Sequence, residues 1–163
     1  MVKYKNYIRA SLVMLAIFIS YQWLSYFLAG EAGRVRRFVL QGKRAIESKN
    51  IFRCSDMISL NYKDKYGNER SSLIYATKEG FSYYLKIFIN IEEISIELSE
   101  SKKEATAKIT ALVIGQPKDK IAEKIMEGDK GKFQLKLIKE EDKWKLTEIE
   151  FFERVTIMGH EVS

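Results

Sequence analysis

The chain has 163 residues, 31% of them charged, and a formal net charge of +6 at pH 7. A single cysteine, Cys54, excludes an internal disulfide, and a single histidine, His160, argues against a histidine metal cluster or a Ser-His-Asp triad. The first 29 residues hold three bases and no acids, so the remainder, with 25 bases and 22 acids, is mixed in charge and does not read as a nucleic-acid surface.

Residues 1–9 form a basic tail carrying Lys3, Lys5 and Arg9. Residues 10–29, "ASLVMLAIFISYQWLSYFLA", contain no charge and are long enough as a helix, at roughly 30 Å, to cross a bilayer's hydrocarbon core. Nine of these twenty residues are Leu, Ile, Val or Phe. Together they favour insertion by roughly 3–5 kcal/mol before the cost of Ser11, Ser20, Gln22 and Ser25 is subtracted. Tyr4, Tyr7, Tyr21, Trp23 and Tyr26 lie where interfacial aromatic rings belong. The stretch is expected to be a retained single-pass anchor. The small-x-small triplet "GEA" at 30–32 leaves cleavage and secretion as the alternative. Bases flank both sides of the span, three before it and five at Arg34, Arg36, Arg37, Lys43 and Arg44, so charge counting alone leaves the orientation open between periplasm and cytoplasm.

Residues 30–163 suffice for one domain with its own core. In "RVRRFVLQGKRAIESKN" (34–50), Val35, Phe38, Val39 and Ile46 recur at helical spacing. Gly42 near that stripe suits close packing. The basic face reads as solvated, with contact to anionic headgroups as the alternative. Asn50 is placed to cap a short helix from Ile51 to about Ile58, and the polar stretch 59–72 reads as a loop or short strand. Thr77 is expected to cap a helix over 78–91, with Phe81, Tyr84, Leu85 and Phe88 on its apolar stripe.

Beyond residue 92 the period becomes two. Ile94, Ile96 and Leu98 alternate with polar residues, and a turn near 100–103 leads to "EATAKITALVIG". There Ala105, Ala107, Ile109, Ala111 and Val113 share one face. "KFQLKLI" forms the next strand, and "KEED" turns the chain before Lys143. Trp144 and Leu146 are even-numbered whereas Ile149 and Phe151 are odd, which predicts a β-bulge near Thr147 or Glu148. The connection 116–132 reads as a long loop in which Ile121, Ile125 and Met126 make an apolar patch. That patch is expected to cover the domain's mouth, meet a protein partner or pack on the domain. Gly115, Gly128 and Gly131 lack a phosphate-binding spacing.

The order of helices followed by a curved antiparallel sheet, and in particular "KFQLKLIKEEDKWKLTEIEFF" with "EATAKITALVIG", resembles the nuclear transport factor 2-like (SnoaL-like) superfamily over about residues 33–153. The fold class expected is therefore α+β: an N-terminal transmembrane helix, then helices packed in a cone-shaped antiparallel sheet. The resemblance implies a domain on the outer side of a bacterial inner membrane. It also implies either a binding or assembly module or an isomerase, dehydratase or related lyase working inside the cone. A homodimer through the sheet and a small apolar ligand are partners that this architecture allows. For the enzyme, Asp56 and Asp64 are the candidate acids and Tyr62 and Tyr84 the candidate proton donors. A general base would need to be shielded from water, whereas Asp64 in "YKDKYGNE" reads as a solvated turn residue. Tyr84 and Trp144 read first as core residues. No cofactor is implied, and the binding module is the favoured reading.

Overall fold

The computed structural model of the chain describes residue 14, residues 30–119 and residues 126–155, the last three of these through their backbone only. The expected tail at 1–9 and, apart from Met14, the expected anchor at 10–29 lie outside the described residues, as do Ile121 and Ile125. Among the described residues no helix is long and apolar enough to cross a membrane.

Among the described residues from Gly30 onward, three helices come first: α1 (Gly30–Glu47), α2 (Ile51–Met57) and α3 (Arg70–Tyr83). In α1 the apolar stripe buries Val35 and Val39, and Glu31 and Arg44 complement the dipole at its two ends. The helix ends in a Schellman turn, with Asn50 N–H donating to the Ala45 carbonyl and Lys49 N–H to that of Ile46, both at 2.9 Å. Lys49 takes the left-handed position (φ 52°) where glycine is usual. Its ammonium reaches across to the Phe81 and Tyr84 carbonyls at 3.0 and 2.9 Å, which ties this turn to the end of α3. Asn50 then caps α2, its side chain accepting from Arg53 N–H at 3.0 Å, as the sequence predicts. Arg70 binds the Ser55 carbonyl and hydroxyl at 3.0 and 2.9 Å and so fixes the start of α3 on α2.

Four antiparallel strands follow in the order β1-β2-β3-β4: β1 (Tyr84–Leu98), β2 (Glu104–Pro117), β3 (Glu127–Glu140) and β4 (Lys143–Val155). The expected inward series on β2 holds, with Ala105, Ala107, Ile109 and Ala111 all buried. Glu141 and Asp142, both at positive φ, make the two-residue turn between β3 and β4.

Two expectations need correction. The helix expected over 78–91 starts earlier, at Arg70, and stops at Tyr83; Tyr84, Leu85 and Phe88 belong to β1. Thr77 does not cap a helix but sits inside α3, its hydroxyl bonded back to the Leu73 carbonyl at 2.8 Å. The spacing of 81, 84, 85 and 88 coincided with a helical stripe, while the β-branched run Ile87, Ile89, Ile91 already alternated in strand fashion. The connection read as 116–132 is also shorter, since β2 runs to Pro117 and β3 begins at Glu127.

The central pair β2–β3 is in unbroken register, whereas both edge strands are bulged. Leu85 and Glu92 are the extra residues on β1, and Thr147 and Phe152 on β4. The expected bulge thus falls at Thr147. Bulges bend a strand and sharpen its twist, so curling is concentrated at the two edges. Each one also resets which parity faces inward. Tyr84 is thereby aligned with Ile87, Ile89 and Ile91, which are followed past Glu92 by Ile94, Ile96 and Leu98. Segment 58–63 lies along the outer edge of β4, where Ser59 N–H bonds the Leu146 carbonyl (2.9 Å) and Lys63 N–H that of Thr147 (3.0 Å).

The core fills one end of the cone. Val35, Val39, Ile58, Tyr62, Ala105, Ala107, Leu137, Trp144 and Leu146 pack there, and Trp144 is 7% exposed. Small alanines on β2 leave room for α1 to lie in the sheet's concavity.

Candidate functional site

The other end of the cone is hollow. A cavity of about 1010 Å³ opens between the sheet and the three helices. Its apolar walls come from Phe38 and Ile46 of α1, Met57 of α2, Leu73 and Phe81 of α3, Ile87, Ile89 and Ile91 of β1, Ile109 and Val113 of β2, Phe133 and Leu135 of β3, and Ile149 and Phe151 of β4. Phe133 and Phe151 meet edge to face with centroids 5.2 Å apart.

Polar side chains in the wall are few. Lys43 is paired with Glu47 at 3.1 Å, and the second oxygen of Glu47 accepts from Ile89 N–H at 2.9 Å, so this carboxylate serves the helix–sheet joint. The half-buried thiol of Cys54 also lines the cavity, and desolvation pushes its pKa up. The remaining group stands together. Alternation along β3 puts Glu127 and Asp129 on the concave face shared by Phe133 and Leu135, and the Tyr84 hydroxyl donates to Glu127 Oε2 at 3.4 Å. Burial raises the Tyr84 pKa, and the negative charges of Glu127 and Asp129 add to that, so the phenol stays protonated. Its ring rests against Gly115, where any Cβ would overlap it. Lys49, bonded to the Tyr84 carbonyl, holds the backbone from the other side.

The four catalytic candidates separate. Tyr84 lines the cavity; Asp56, Tyr62 and Asp64 do not. The Asp56 side chain is 77% exposed and paired with Lys145. Asp64 closes its own turn, accepting from Tyr66 N–H (2.9 Å), Asn68 N–H (2.8 Å) and the Asn68 amide (2.8 Å). Partial desolvation pushes its carboxyl up, but the hydrogen bonds from Asn68, Tyr66 and Tyr62 outweigh it and hold the pKa below the usual value. That is the opposite of a poised general base. Tyr62 is buried beside it, with its hydroxyl 3.4 Å from Asp64 Oδ2, and desolvation followed by the Asp64 charge pushes its pKa up to about 12. Met126 is exposed at the start of β3 and does not line the cavity.

Glu127 and Asp129 escaped the sequence reading because they interrupt the apolar alternation that marks a strand. Extending the odd-numbered series of "KFQLKLI" backwards through Gly131 would have found them. Among the described residues no group of His, Cys, Asp or Glu is placed to hold a metal.

Comparison with known proteins separates fold from family. No family model matches the sequence, and no curated protein matches it. Solved structures do match in shape. A nuclear transport factor 2-like superfamily protein from Salmonella enterica superposes with a TM-score of 0.66 at 8% identity, covering 83% of this chain and 99% of its own. A provisionally assigned scytalone dehydratase from Novosphingobium aromaticivorans gives 0.66 at 12% identity, over 80% and 89% of the two chains. A provisionally assigned dehydratase of the nuclear transport factor 2-like family from Streptomyces avermitilis gives 0.63 at 10%, over 73% and 93%. The described residues from Gly30 to Val155 therefore have the cone-shaped α+β fold of nuclear transport factor 2-like proteins: three helices against a four-stranded antiparallel sheet. At these identities the likeness concerns the fold, and activity is a separate question.

Proposed function

We propose that the domain is a non-enzymatic binding module that takes an apolar small molecule into the cone and is tethered to a bacterial inner membrane by residues 10–29, facing the periplasm. The observation that carries the binding reading is the roomy apolar cavity from which both expected acids, Asp56 and Asp64, are excluded. The tether rests on the length, apolarity and aromatic ends of residues 10–29 in the sequence.

A second reading, a small-molecule isomerase, dehydratase or related lyase, draws on one specific feature. Tyr84 and Glu127 place a protonated phenol and a carboxylate side by side in the cavity wall, and similar folds include proteins named as dehydratases. Binding is favoured because Glu127 is only half-buried and stands at an end of β3 between exposed Met126 and exposed Gly128, not in the water-poor setting that a general base needs.

Cys54 supplies the test, being the only cysteine and part of the cavity wall. In the full chain held in nanodiscs, saturating naphthalene should slow alkylation of Cys54 by iodoacetamide at least severalfold. An alkylation rate indifferent to naphthalene would sink the apolar-ligand reading.

A further inference from the structure

The helix α3 is held differently along its two halves. In the first, Leu73 and Ile74 pack against the buried core, and Arg70 fastens the helix start to α2. In the second, every residue from Tyr75 to Tyr83 is exposed or half-buried, and Thr77, Gly80 and Phe81 line the cavity. The far end is fixed again, where Lys118 N–H donates to the Tyr83 carbonyl at 3.1 Å and β1 takes over at Tyr84. The second half is thus a span across the hollow, tied down at both ends. α3 as a whole buries none of its 14 residues. Few buried apolar contacts and an exposed outer face mark a segment that opens well short of global unfolding.

Three local features weaken the span further. The Thr77 hydroxyl bonds back to the Leu73 carbonyl at 2.8 Å, a pattern that bends helices. At Gly80 an added Cβ would meet no atom within 4 Å, so no close approach calls for glycine, and its effect is to lower the helix's own stability. The carbonyls of the last turn rely on a neighbour, since the Lys49 ammonium binds those of Phe81 and Tyr84 at 3.0 and 2.9 Å. Lys49 does so from a left-handed backbone position (φ 52°) that glycine would occupy with less strain. This clamp is what its side chain adds there.

We propose that residues 75–83 form a strap that opens while the sheet stays folded, and that an apolar ligand holds it shut from within through Thr77, Gly80 and Phe81. The second clause rests on the reading of the cavity as a binding site; the first does not.

The test is hydrogen exchange of the full chain in nanodiscs, read by peptide mass spectrometry and corrected for intrinsic rates. Without ligand, amides of 76–83 should exchange at least about tenfold faster than those of β2 and β3, the pair in unbroken register. Gly80→Ala should slow the strap about fivefold, as the helix propensities of the two residues imply, and leave β2 and β3 unchanged. Lys49→Gly removes the clamp while relieving the left-handed position, so it should quicken the strap severalfold without lowering the urea midpoint. Saturating naphthalene should slow the strap severalfold, and less so in Phe81→Ala. Strap and sheet amides that exchange at one rate and respond alike to Gly80→Ala would overturn the proposal, since α3 would then open only with the whole domain. Naphthalene that shields Cys54 from iodoacetamide yet leaves strap exchange unchanged would overturn the ligand's hold on the strap while leaving the cavity in use. Naphthalene that does neither would remove the binding reading and that hold together, and the ligand-free rates would still decide whether the strap opens.

Discussion

Tyr62 is a buried phenol whose hydroxyl lies 3.4 Å from the Asp64 carboxylate, and burial together with that charge makes its ionisation expensive. Its folded pKa of about 12 compares with roughly 10 in an unfolded chain. A raised value means that the stabilising contribution is complete below about pH 10 and is lost as pH rises through 12. The parent should therefore lose urea resistance over that interval faster than Tyr62→Phe, with the many exposed lysines affecting both alike. Parallel losses in the two proteins would show that the phenol ionises freely in the folded state. The same residue explains why the site was only partly legible in the sequence. Tyr62, Asp64 and Asp56 are the residue types that acid–base chemistry uses, yet hydrogen bonds within one turn and a pairing with Lys145 account for the two acids. Tyr84 was found because an aromatic in an apolar run is conspicuous. Glu127 was missed because a carboxylate facing a concavity looks, in one dimension, like any surface acid.

Among the elements, β2 and β4 were legible, and β1 only in its second half, where Ile94, Ile96 and Leu98 alternate. On β2 the alternation is clean because Ala105, Ala107, Ile109 and Ala111 are buried while the residues between them are not. On β4 the change from even to odd apolar positions pointed straight to the bulge at Thr147. β1 carries two bulges and starts directly from a helix, so its parity changes twice and a helical stripe can be traced through it by coincidence. The bulge at Thr147 is anchored on both sides, by the Thr147 hydroxyl on the Lys136 carbonyl (3.0 Å) and by Lys63 N–H on its own carbonyl. Deleting Thr147 should leave Leu146, Ile149 and Phe151 on the concave face in their present register, straighten the strand, and cost about 1–2 kcal/mol through loss of the anchors on Lys136 and Lys63. A urea midpoint unchanged by the deletion would mean that neither the bend nor its anchors contribute to stability.

On the scale of the whole molecule, the proposed tether and the hollow cone would together hold an apolar ligand beside a membrane. If residues 10–29 are retained, the full chain should pellet with membranes and resist carbonate extraction. In a Cys54→Ser background, Ser163→Cys should be labelled by an impermeant thiol reagent in intact cells with a permeabilised outer membrane. Labelling only after lysis would place the domain in the cytoplasm, and a mature chain starting at Gly33 would mean that the segment is a cleaved signal. The strand order has a separate consequence for how this molecule comes into being. Each strand pairs only with its neighbours in sequence, so every ladder closes over a short connection and needs no distant partner. The helices emerge from the ribosome before any of it. α2 and α3 span 7 and 14 residues, within or below the roughly 12–15 at which an isolated helix begins to hold, and only α1, with 18, exceeds it. Their apolar stripes wait for β1 and β2 to arrive. Leu146, Ile149 and Phe151 come later still, with β4, so a nascent chain halted after β3 has a sheet but no closed vessel. The cavity is thus completed late in synthesis, by a strand whose bulges curl the rim.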